Sequence, residues 1–400
     1  MSTPKRRWKR TSATALADPA GPRRVLFISN GFGEDSIAAA IIRHLPPGLV
    51  AEAYPTIGHG QAYAGVCDIV GPRASLPSEG WRNVKGSVAR DILNGGLFSK
   101  IGPALRFGRG IRQSYDLAVV VGDIVGVAGC FLVGARGIVY LDVYKTGYGR
   151  LYSAAERWLI GHTAAVTFCR SDNLAAPLRA AGRDARSAGN VMMDTIAYGD
   201  YNVTPRRRRF TAVALLPGSR QFTAESFALQ IEALSLVTPT KRPDIFLALA
   251  GSVSLEELAH AAGLTIRPPT TAEAGDAGSL VGSGLTVQVA RGAAGNLIAG
   301  ADLVLSQAGT ATVQALGLGK PVITFINPRD RRSRVNDENA LFGEARLVVE
   351  PDAEHLAAAI EPLLDNPVER KRLGAVGRER IGPPGAIDEI VKAIVAQANR

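Results

Sequence analysis

Short apolar runs alternate along the chain with segments whose apolar residues recur at helical spacing. In the first half, this pattern predicts strands at Val25–Ser29, Leu49–Tyr54, Leu117–Val121, Gly137–Leu141 and Ala164–Cys169, and helices at Ser36–Leu45, Tyr152–Gly161 and Asn173–Ala181. Short, continuously apolar strands separated by helices are typical of a parallel sheet that is covered on both faces. The first half is therefore predicted to be a doubly wound α/β domain.

The same alternation starts again after the polar segment "YGDYNVTPRRRRF". It predicts strands at Ala212–Leu216, Ile245–Ala250, Leu285–Val289, Leu303–Ser306 and Pro321–Phe325, and helices at Ala224–Leu236, Ala294–Ala299, Thr310–Leu318 and Ala353–Leu364. The proline and the four consecutive arginines indicate a linker at 201–209. A nucleic-acid-binding patch is the alternative, but no aromatic residues interleave with these arginines, and we expect no nucleic-acid partner.

A chain of 400 residues usually forms two domains. We assign 1–22 to a disordered basic tail, 23–200 to the first domain, 201–209 to the linker and 210–380 to the second domain. Residues 381–400 are expected to form a C-terminal helix, Ala386–Ala398, that packs back towards the first domain. The predicted fold is two Rossmann-like doubly wound domains facing a central cleft, with ligands at the carboxyl ends of the strands.

Charge and cysteine content narrow the setting in which the protein works. The net charge is +10, and five basic residues crowd the first ten positions. The three cysteines are widely spaced, which indicates neither a disulfide framework nor a metal site and favours the reducing cytoplasm. No apolar run reaches the roughly 18–20 residues needed to span a bilayer, so any membrane contact is expected to be peripheral, on the inner face of the cytoplasmic membrane.

The turn "SNGFGED" follows the first strand and opens a helix. Gly31 and Gly33 permit close approach of the backbone, and the helix amino end favours anions. A dinucleotide-binding fingerprint would have a third glycine where Ser36 stands, and the charges of Glu34 and Asp35 would repel a pyrophosphate. The turn is predicted either to be a tight structural turn or to present carboxylates to sugar hydroxyls at the cleft.

Two motifs in the second domain have the chemistry of phosphate recognition. "LLPGSR", Leu215–Arg220, is a buried strand that ends in a flexible glycine, Gly218, a hydroxyl on Ser219 and a guanidinium on Arg220. The guanidinium can bind a phosphate through two parallel hydrogen bonds. The alternative is an ordinary turn at the end of a strand with a surface arginine.

The second motif is "SQAGTATVQALGLGKPV", Ser306–Val322, a strand, a turn of small residues and a helix. Backbone N–H groups and hydroxyls at this helix amino end can cradle a diphosphate, and a glycine loop between the two motifs can wrap a flat base. The predicted donor-binding residues are Gly218, Ser219, Arg220, Gly292, Asn296, Gln307, Gly309, Thr310, Ala311, Thr312 and Gln314. The side chain of Gln314, one turn into the helix, is expected to reach a ribose.

These motifs together resemble the lipid-A-disaccharide synthase family of glycosyltransferases, and more closely its lipid-A-disaccharide-synthase-related branch. "SNGFGEDSIA", "DLAVVVGDIVGV" and "AGNVMMD" are similar to further stretches of that branch, and the match runs in order through residues 22–380. The resemblance implies a GT-B fold and a hexosyltransferase that moves a sugar from a UDP-sugar to a lipid or amphipathic acceptor, as in glycolipid biosynthesis.

Residue roles follow from the same resemblance. Arg220 and the Gly309–Thr312 turn would bind the diphosphate, the Gly292–Leu297 loop would border the uracil, and Asp123 would be the catalytic base. The first domain would bind the acceptor, with Gly31, Gly33, Glu34, Asp35 and Asn190 at the cleft. No metal and no cofactor are expected.

Two departures from the family pattern affect the acceptor and the base. "LDVYKTGYGRLYS" replaces the family's Ser-Pro-x-x-Trp-Ala-Trp segment, and Gln314 replaces its glutamate. Asp142, at the end of the next strand, is the rival base to Asp123, which could instead be a helix cap. A UDP-sugar epimerase of the same fold and a non-catalytic nucleotide-sugar-binding protein are the alternative functions.

The segment Val88–Tyr115 combines apolar and basic residues. Its apolar residues recur at near-helical spacing, and basic residues that include Lys100, Arg106 and Arg109 lie among them. Such a pattern suits an anionic membrane surface. Several glycines and Pro103 predict two short helical pieces or a flexible lid rather than one long helix. The alternative is that the apolar residues pack on the first domain's sheet.

Overall fold

The computed structural model describes residues 21–72, 96–219, 222–269, 273–327 and 332–400, which fold into two units. The first contains the described residues up to Val191, residues 332–337 and Gly385–Arg400. The second contains the described residues of Met192–Asp330 and Glu338–Pro384. The helices are Phe32–Arg43, Gly96–Ser114, Ile124–Leu132, Ala154–Thr163, Asp172–Ala180, Val191–Asp194, Thr223–Leu236, Leu255–Ala261, Ala294–Gly300, Thr310–Gly317, Arg332–Phe342, Ala353–Asp365, Pro367–Ile381 and Ala386–Ala398.

A parallel sheet forms the centre of the first unit. Its seven described strands are β1 (Arg23–Ser29), β2 (Leu49–Pro55), β3 (Asp68–Ile69), β4 (Leu117–Gly122), β5 (Ile138–Asp142), β6 (Ala164–Phe168) and β7 (Asp184–Arg186). Their order in space is β3-β2-β1-β4-β5-β6-β7, so the chain changes direction of winding between β1 and β4. Ligands of open α/β sheets bind at the carboxyl ends of strands at such a switch point.

Burial explains why these strands read as continuous apolar runs. Every residue of β4 is buried, because helices cover both faces of the sheet. The C-terminal helix Ala386–Ala398 belongs to this unit and lies against β4, β5, β6 and the helix Phe32–Arg43. Ile387, Ile390 and Ile394, which recur at helical spacing, form its buried face.

The second unit contains a mixed sheet. Its eight described strands are β8 (Ala212–Leu216), β9 (Asp244–Leu249), β10 (Thr265–Arg267), β11 (Asp276–Gly282), β12 (Leu285–Arg291), β13 (Leu303–Ser306), β14 (Val322–Phe325) and β15 (Arg346–Val349). The spatial order is β10-β11-β12-β9-β8-β13-β14-β15, and the switch point lies between β8 and β13.

One edge of this sheet differs from the all-parallel prediction. β11 pairs antiparallel with both β10 and β12, and the turn from β11 to β12 consists of Ser283 and Gly284, with φ of 52° and 71°. Positive φ at both turn residues is the geometry of a two-residue hairpin, which can join only antiparallel strands. The Ser-Gly pair was the sequence signal for this hairpin.

The predicted linker at 201–209 also differs from the structure. The chain passes from the first unit to the second at Val191–Met192, and Tyr201 and Val203 are buried in a core cluster of the second unit. Arg206 forms ion pairs with Glu273 and Asp276, with N–O distances of 2.7 Å to each. Arg206, which the sequence predicted to be in a solvated linker, is thus bound by two acids that are distant in the chain.

The prediction of two short helical pieces or a lid before β4 is corrected by a single helix, Gly96–Ser114, that contains Pro103. A proline inside a helix removes one backbone hydrogen bond, and packing of the remaining turns can offset that loss. Ile111 is buried, and a Cβ on Gly108 would lie 2.7 Å from Cγ1 of Val133. Gly108 therefore permits close packing of the helix rather than breaking it.

Phe107, on the same helix, contacts the ring of Tyr54 edge-on at 4.9 Å between centroids. At this end of the helix, the apolar residues pack on the first unit, as the alternative interpretation of the segment expected. Residues 88–95 lie outside the described chain, as do the side chains of 96–101. Among the described residues, no helix is both long enough and apolar enough to cross a membrane.

Candidate functional site

Two polar side chains meet at the switch point of the first unit. Asp123 directly follows β4 and caps the helix Ile124–Leu132, accepting a hydrogen bond at Oδ1 from the backbone N–H of Val125 at 2.9 Å. Asn30 directly follows β1, and its Nδ2 donates to the same oxygen at 2.7 Å. Asp123 is half-buried at the edge where α/β folds bind ligands. Asn30 is not among the site residues predicted from the sequence.

The two acids of the opening turn lie in different surroundings. Asp35 is buried, and its Oδ1 accepts a hydrogen bond of 2.6 Å from Oγ of Ser29, which also lies 2.7 Å from the hydroxyl of Tyr63. Burial raises the pKa of the Asp35 carboxyl to about 6. Glu34 is half-buried, and its carboxylate covers Gly31 so closely that a Cβ there would collide with it.

These contacts separate the two acids of the turn. Asp35 belongs to a buried polar group with Ser29 and Tyr63, away from solvent. Glu34 stays nearer the surface, and Gly33 is exposed with open space where a Cβ would be. Of the four predicted positions in this turn, Gly33 is exposed and Glu34 half-buried, whereas Gly31 and Asp35 are buried.

Asp142 anchors a loop. Its Oδ1 accepts hydrogen bonds from the backbone N–H groups of Tyr144 and Lys145 at 2.8 and 3.0 Å, and its Oδ2 accepts one from the hydroxyl of Tyr152 at 2.5 Å. The carboxyl is almost completely buried, which raises its pKa, while the Tyr152 hydroxyl lowers it in part. Three donors on one buried carboxylate fix the loop that follows β5.

The two motifs that the sequence predicts to bind phosphate come together at the switch point of the second unit. The backbone N–H of Gln307 donates to the carbonyl of Leu216 at 2.9 Å, so the ends of β8 and β13 are joined. Gly218 has φ of 102°, which favours glycine, and Ser219 beyond it is exposed. Arg220 lies outside the described residues.

The helix Thr310–Gly317 begins at the same edge. Gly309 is its N-cap and supplies no side-chain cap to the first turn, whose N–H groups point out of the helix end. The hydroxyl of Thr312 lies 2.7 Å from Oγ of Ser306 and donates to the carbonyl of Ala308 at 2.5 Å, so it holds the turn together. Gly309 and Thr310 are exposed and can face a ligand.

Three predicted donor-binding side chains make internal bonds instead. Gln314 is buried, and its Nε2 donates to the carbonyl of Met192 at 2.9 Å. The Asn296 carboxamide forms two bonds with the backbone of Gly199, accepting at 2.8 Å and donating at 2.9 Å. Nε2 of Gln307 donates to the hydroxyl of Thr324 at 3.1 Å and to the carbonyl of Phe325 at 3.0 Å.

The remaining predicted positions are more dispersed. Gly292 has φ of 68° and open space where a Cβ would be. The helix that follows lies near Ala197, whose carbonyl accepts a backbone hydrogen bond of 2.8 Å from Gly295. Asn190 is buried in the first unit, directly before Val191, after which the chain enters the second unit. Ala311 is half-buried in the first turn of its helix.

Comparison with known proteins identifies the fold of the chain. No model of a protein family and no curated protein matches the chain. The solved structure of MurG from Acinetobacter baumannii is similar over 94% of this chain and 100% of its own, with a TM-score of 0.59 and 16% identity. The chain has the GT-B fold.

Two further solved structures show the same two Rossmann-like α/β domains. The glycosyltransferase SnogD from Streptomyces nogalater has a TM-score of 0.56 and 17% identity, with 94% of this chain and 100% of its own covered. UDP-GlcNAc 2-epimerase from Methanocaldococcus jannaschii has a TM-score of 0.52 and 13% identity, with 93% and 99% covered. At such identities the similarity establishes the architecture, and the activity has to be argued from the site.

Proposed function

We propose that this protein is a glycosyltransferase that moves a hexose from a UDP-sugar to a hydroxyl of a lipid or amphipathic acceptor. The observation that carries the proposal is the meeting of the "LLPGS" and "SQAGT" turns at the switch point of the second unit, next to an uncapped helix end. Of the similar structures named above, one is by name a glycosyltransferase and another a UDP-GlcNAc 2-epimerase.

In this proposal the second unit binds the donor. The N–H groups at Gly309–Thr312 receive the diphosphate at the positive end of the helix, and Arg220 neutralises its charge. Gly218 keeps the backbone close to the phosphates. The contacts of Gln314 and Asn296 favour a structural role for both carboxamides, which leaves recognition of ribose and uracil to backbone groups near Gly292.

Asp123 is the proposed base. The acceptor hydroxyl would give its proton to the Asp123 carboxylate as its oxygen forms a bond to the anomeric carbon, and the bond from that carbon to the diphosphate breaks. UDP leaves with its charge balanced by Arg220 and the helix N–H groups. Asp142 suits this role less well, because three donors hold it inside the loop anchor.

A calorimetric titration with UDP tests the donor assignment. Replacing Arg220 by Ala removes a charge-assisted hydrogen bond, worth about 1.5–3 kcal/mol, so UDP binding should weaken about 10- to 100-fold. The control is Arg209→Ala, an exposed arginine of the same unit, which should bind UDP like the wild type. Equal affinities in all three proteins would refute the assignment.

A UDP-sugar epimerase is the second candidate, because one similar structure has that activity by name. An epimerase needs no acceptor, whereas a transferase releases UDP only when an acceptor hydroxyl is present. The transferase is preferred because the paired acids and histidine expected of an epimerase are a weak pattern in this sequence. A non-catalytic nucleotide-sugar-binding protein would bind UDP and release no product.

The proposal places the protein in the cytoplasm, with the first unit on an anionic membrane. Leu132 and Trp158 are 73% and 54% exposed, and the Trp158 ring packs edge-on against Phe131 at 5.3 Å. The helix Gly96–Ser114 packs against Val133 through Gly108, and three exposed arginines on it are Arg106, Arg109 and Arg112. Apolar side chains beside basic ones suit a surface of anionic lipid.

Liposome flotation at low salt tests this placement. The wild type should float with anionic vesicles, and a Lys100→Glu, Arg106→Glu, Arg109→Glu variant should not, because each basic residue contributes about 1 kcal/mol near such a surface. The same charge change on the second unit, at Arg208, Arg209 and Lys371, is the control and should leave flotation intact. A wild type that stays in the soluble fraction would refute membrane binding.

A further inference from the structure

We infer that Asn30 is the positioning residue that holds the Asp123 carboxylate in its working orientation; the inference rests on the proposed function. Asn30 and Asp123 follow neighbouring parallel strands, β1 and β4, and lie at the switch point of the first unit. Their side chains reach each other although they are 93 residues apart in sequence.

Two donors converge on one oxygen of the carboxylate. Oδ1 of Asp123 accepts from Nδ2 of Asn30 at 2.7 Å and from the backbone N–H of Val125 at 2.9 Å. One donor comes from the β1 turn and the other from the helix that Asp123 caps. Because these donors belong to different elements, the carboxylate group is held in one rotamer and in one plane.

The orientation of the Asn30 carboxamide follows from its partner. An ionised carboxylate only accepts hydrogen bonds, so Nδ2 must face Asp123 and Oδ1 must face the other way. Oδ1 is buried, and among the described residues no donor reaches it. A buried carbonyl oxygen without a donor is unfavourable, so this orientation of the carboxamide costs stability.

The backbone beside Asp123 accommodates this carboxamide. Gly122, the last residue of β4, has φ of 150°, and a Cβ at this position would collide with Oδ1 of Asn30. Glycine is therefore required here both by conformation and by the space that the carboxamide occupies. Gly122 thus leaves the space in which the Asn30 carboxamide lies when it donates its hydrogen bond to Asp123.

The chemistry assigns distinct tasks to the two side chains. An amide does not take up a proton at neutral pH, so the proton of the acceptor hydroxyl stays on Asp123. Asn30 contributes by fixing the geometry of the carboxylate before the acceptor arrives, and small misplacements of a catalytic group can cost about 10²-fold in rate. Asn30 would thus act through Asp123 and not on the substrate.

A double-mutant cycle on kcat tests the inference. The reaction is UDP release from UDP-GlcNAc and other UDP-hexoses mixed with a bacterial lipid extract. Asn30→Ala should lower kcat about 10- to 100-fold and leave the UDP dissociation constant unchanged. In the Asp123→Asn background the same substitution should have little further effect, because the group that it positions is no longer a base.

The matched control is Thr56→Val. The Thr56 hydroxyl donates to the backbone carbonyl of Ser29 at 2.9 Å, so this variant removes a hydrogen bond next to Asn30 without touching Asp123. It should keep the wild-type kcat. If both variants lower kcat equally, Asn30 is structural and the inference fails.

Asn30→Asp is a second variant, in case Asn30→Ala folds poorly. It keeps the shape, lacks the donor at neutral pH and places a like charge beside Asp123. A proton shared between the two carboxyls at lower pH would restore the hydrogen bond, so its optimum for kcat should move towards acid. An unmoved pH profile, a wild-type kcat in Asn30→Ala, or additive effects in the cycle would overturn the inference alone. No UDP release from the wild type would instead refute the proposed function.

Discussion

Asp35 is a buried acid, and its replacement by Asn should stabilise the folded protein at neutral pH. The substitution is Asp35→Asn, which keeps the shape of the side chain and mimics the protonated carboxyl. Oδ1 would still accept the hydrogen bond from Ser29, which measures 2.6 Å in the wild type. Oδ2 is buried, and no donor in the part of the chain that the structure describes reaches it, so the ionised carboxylate is penalised there.

The direction of the pH dependence follows from the raised pKa. Burial raises the pKa of Asp35 from 3.8 to about 6. Between these values the folded chain holds a proton that the unfolded chain has lost, so the free energy of unfolding falls as pH rises through this window. Above this pH window, the free energy of unfolding stays at the lower value. A shift of about two units corresponds to about 3 kcal/mol, which is an upper bound for this group.

The side chain of the Asn variant does not ionise, so folding this variant does not bury a charged carboxylate at any pH in this range. Its advantage over the wild type should be about 1 kcal/mol near pH 4.5 and up to about 3 kcal/mol above pH 7. For a domain of this size, each kcal/mol raises Tm by about 2–4 °C. Calorimetric scans of both proteins from pH 4.5 to pH 8 measure the difference.

Asp200→Asn is the control, since Asp200 is an exposed carboxylate in the other unit. This variant should not show the gain in stability that Asp35→Asn shows above pH 7. The reasoning fails if Asp35→Asn is less stable than the wild type at pH 7.5, or if its advantage is the same at every pH. Either result would mean that Asp35 is not a buried acid with a raised pKa.

Two further predictions concern the base and its surroundings. Asp123→Asn should lower kcat by about 10²-fold or more without changing UDP affinity, whereas Asp142→Asn should mainly lower Tm. A fall in kcat that occurs only in Asp142→Asn would assign the base to Asp142. Gly147→Ala should lower stability by about 1–3 kcal/mol, because its φ is 80° and a Cβ would collide with Oγ of Ser171. Gly182→Ala, with φ of 72° and open space, should cost less in thermal unfolding, and equal losses would contradict the collision.

The alternation of apolar runs was sufficient to predict most of the central strands. β1, β4 and β8 are buried on both faces, and this burial produces the continuous apolar signal that the sequence shows. Short edge strands such as β7 carry few apolar residues, and the sequence analysis did not detect them. The hairpin between β11 and β12 depends on two turn residues, a local signal that the strand pattern alone does not contain.

The candidate site was less accessible to sequence reasoning. Asn296 and Gln314 have side chains suited to a nucleotide, but their partners are the backbone of Gly199 and Met192, more than ninety residues away. Asn30 stands in a glycine turn, and its contact with Asp123 appears only when the parallel pairing of β1 and β4 brings the two side chains together. Long-range contacts of this kind follow from topology rather than from local pattern.

The most direct test of sugar transfer is product analysis of radiolabelled UDP-hexoses incubated with the wild-type protein, with and without lipid extract. The expected result is UDP release that requires the extract, together with transfer of the radiolabelled hexose into the lipid fraction. Conversion of the sugar nucleotide to an epimer without the extract would contradict it, as would UDP binding with no product under either condition.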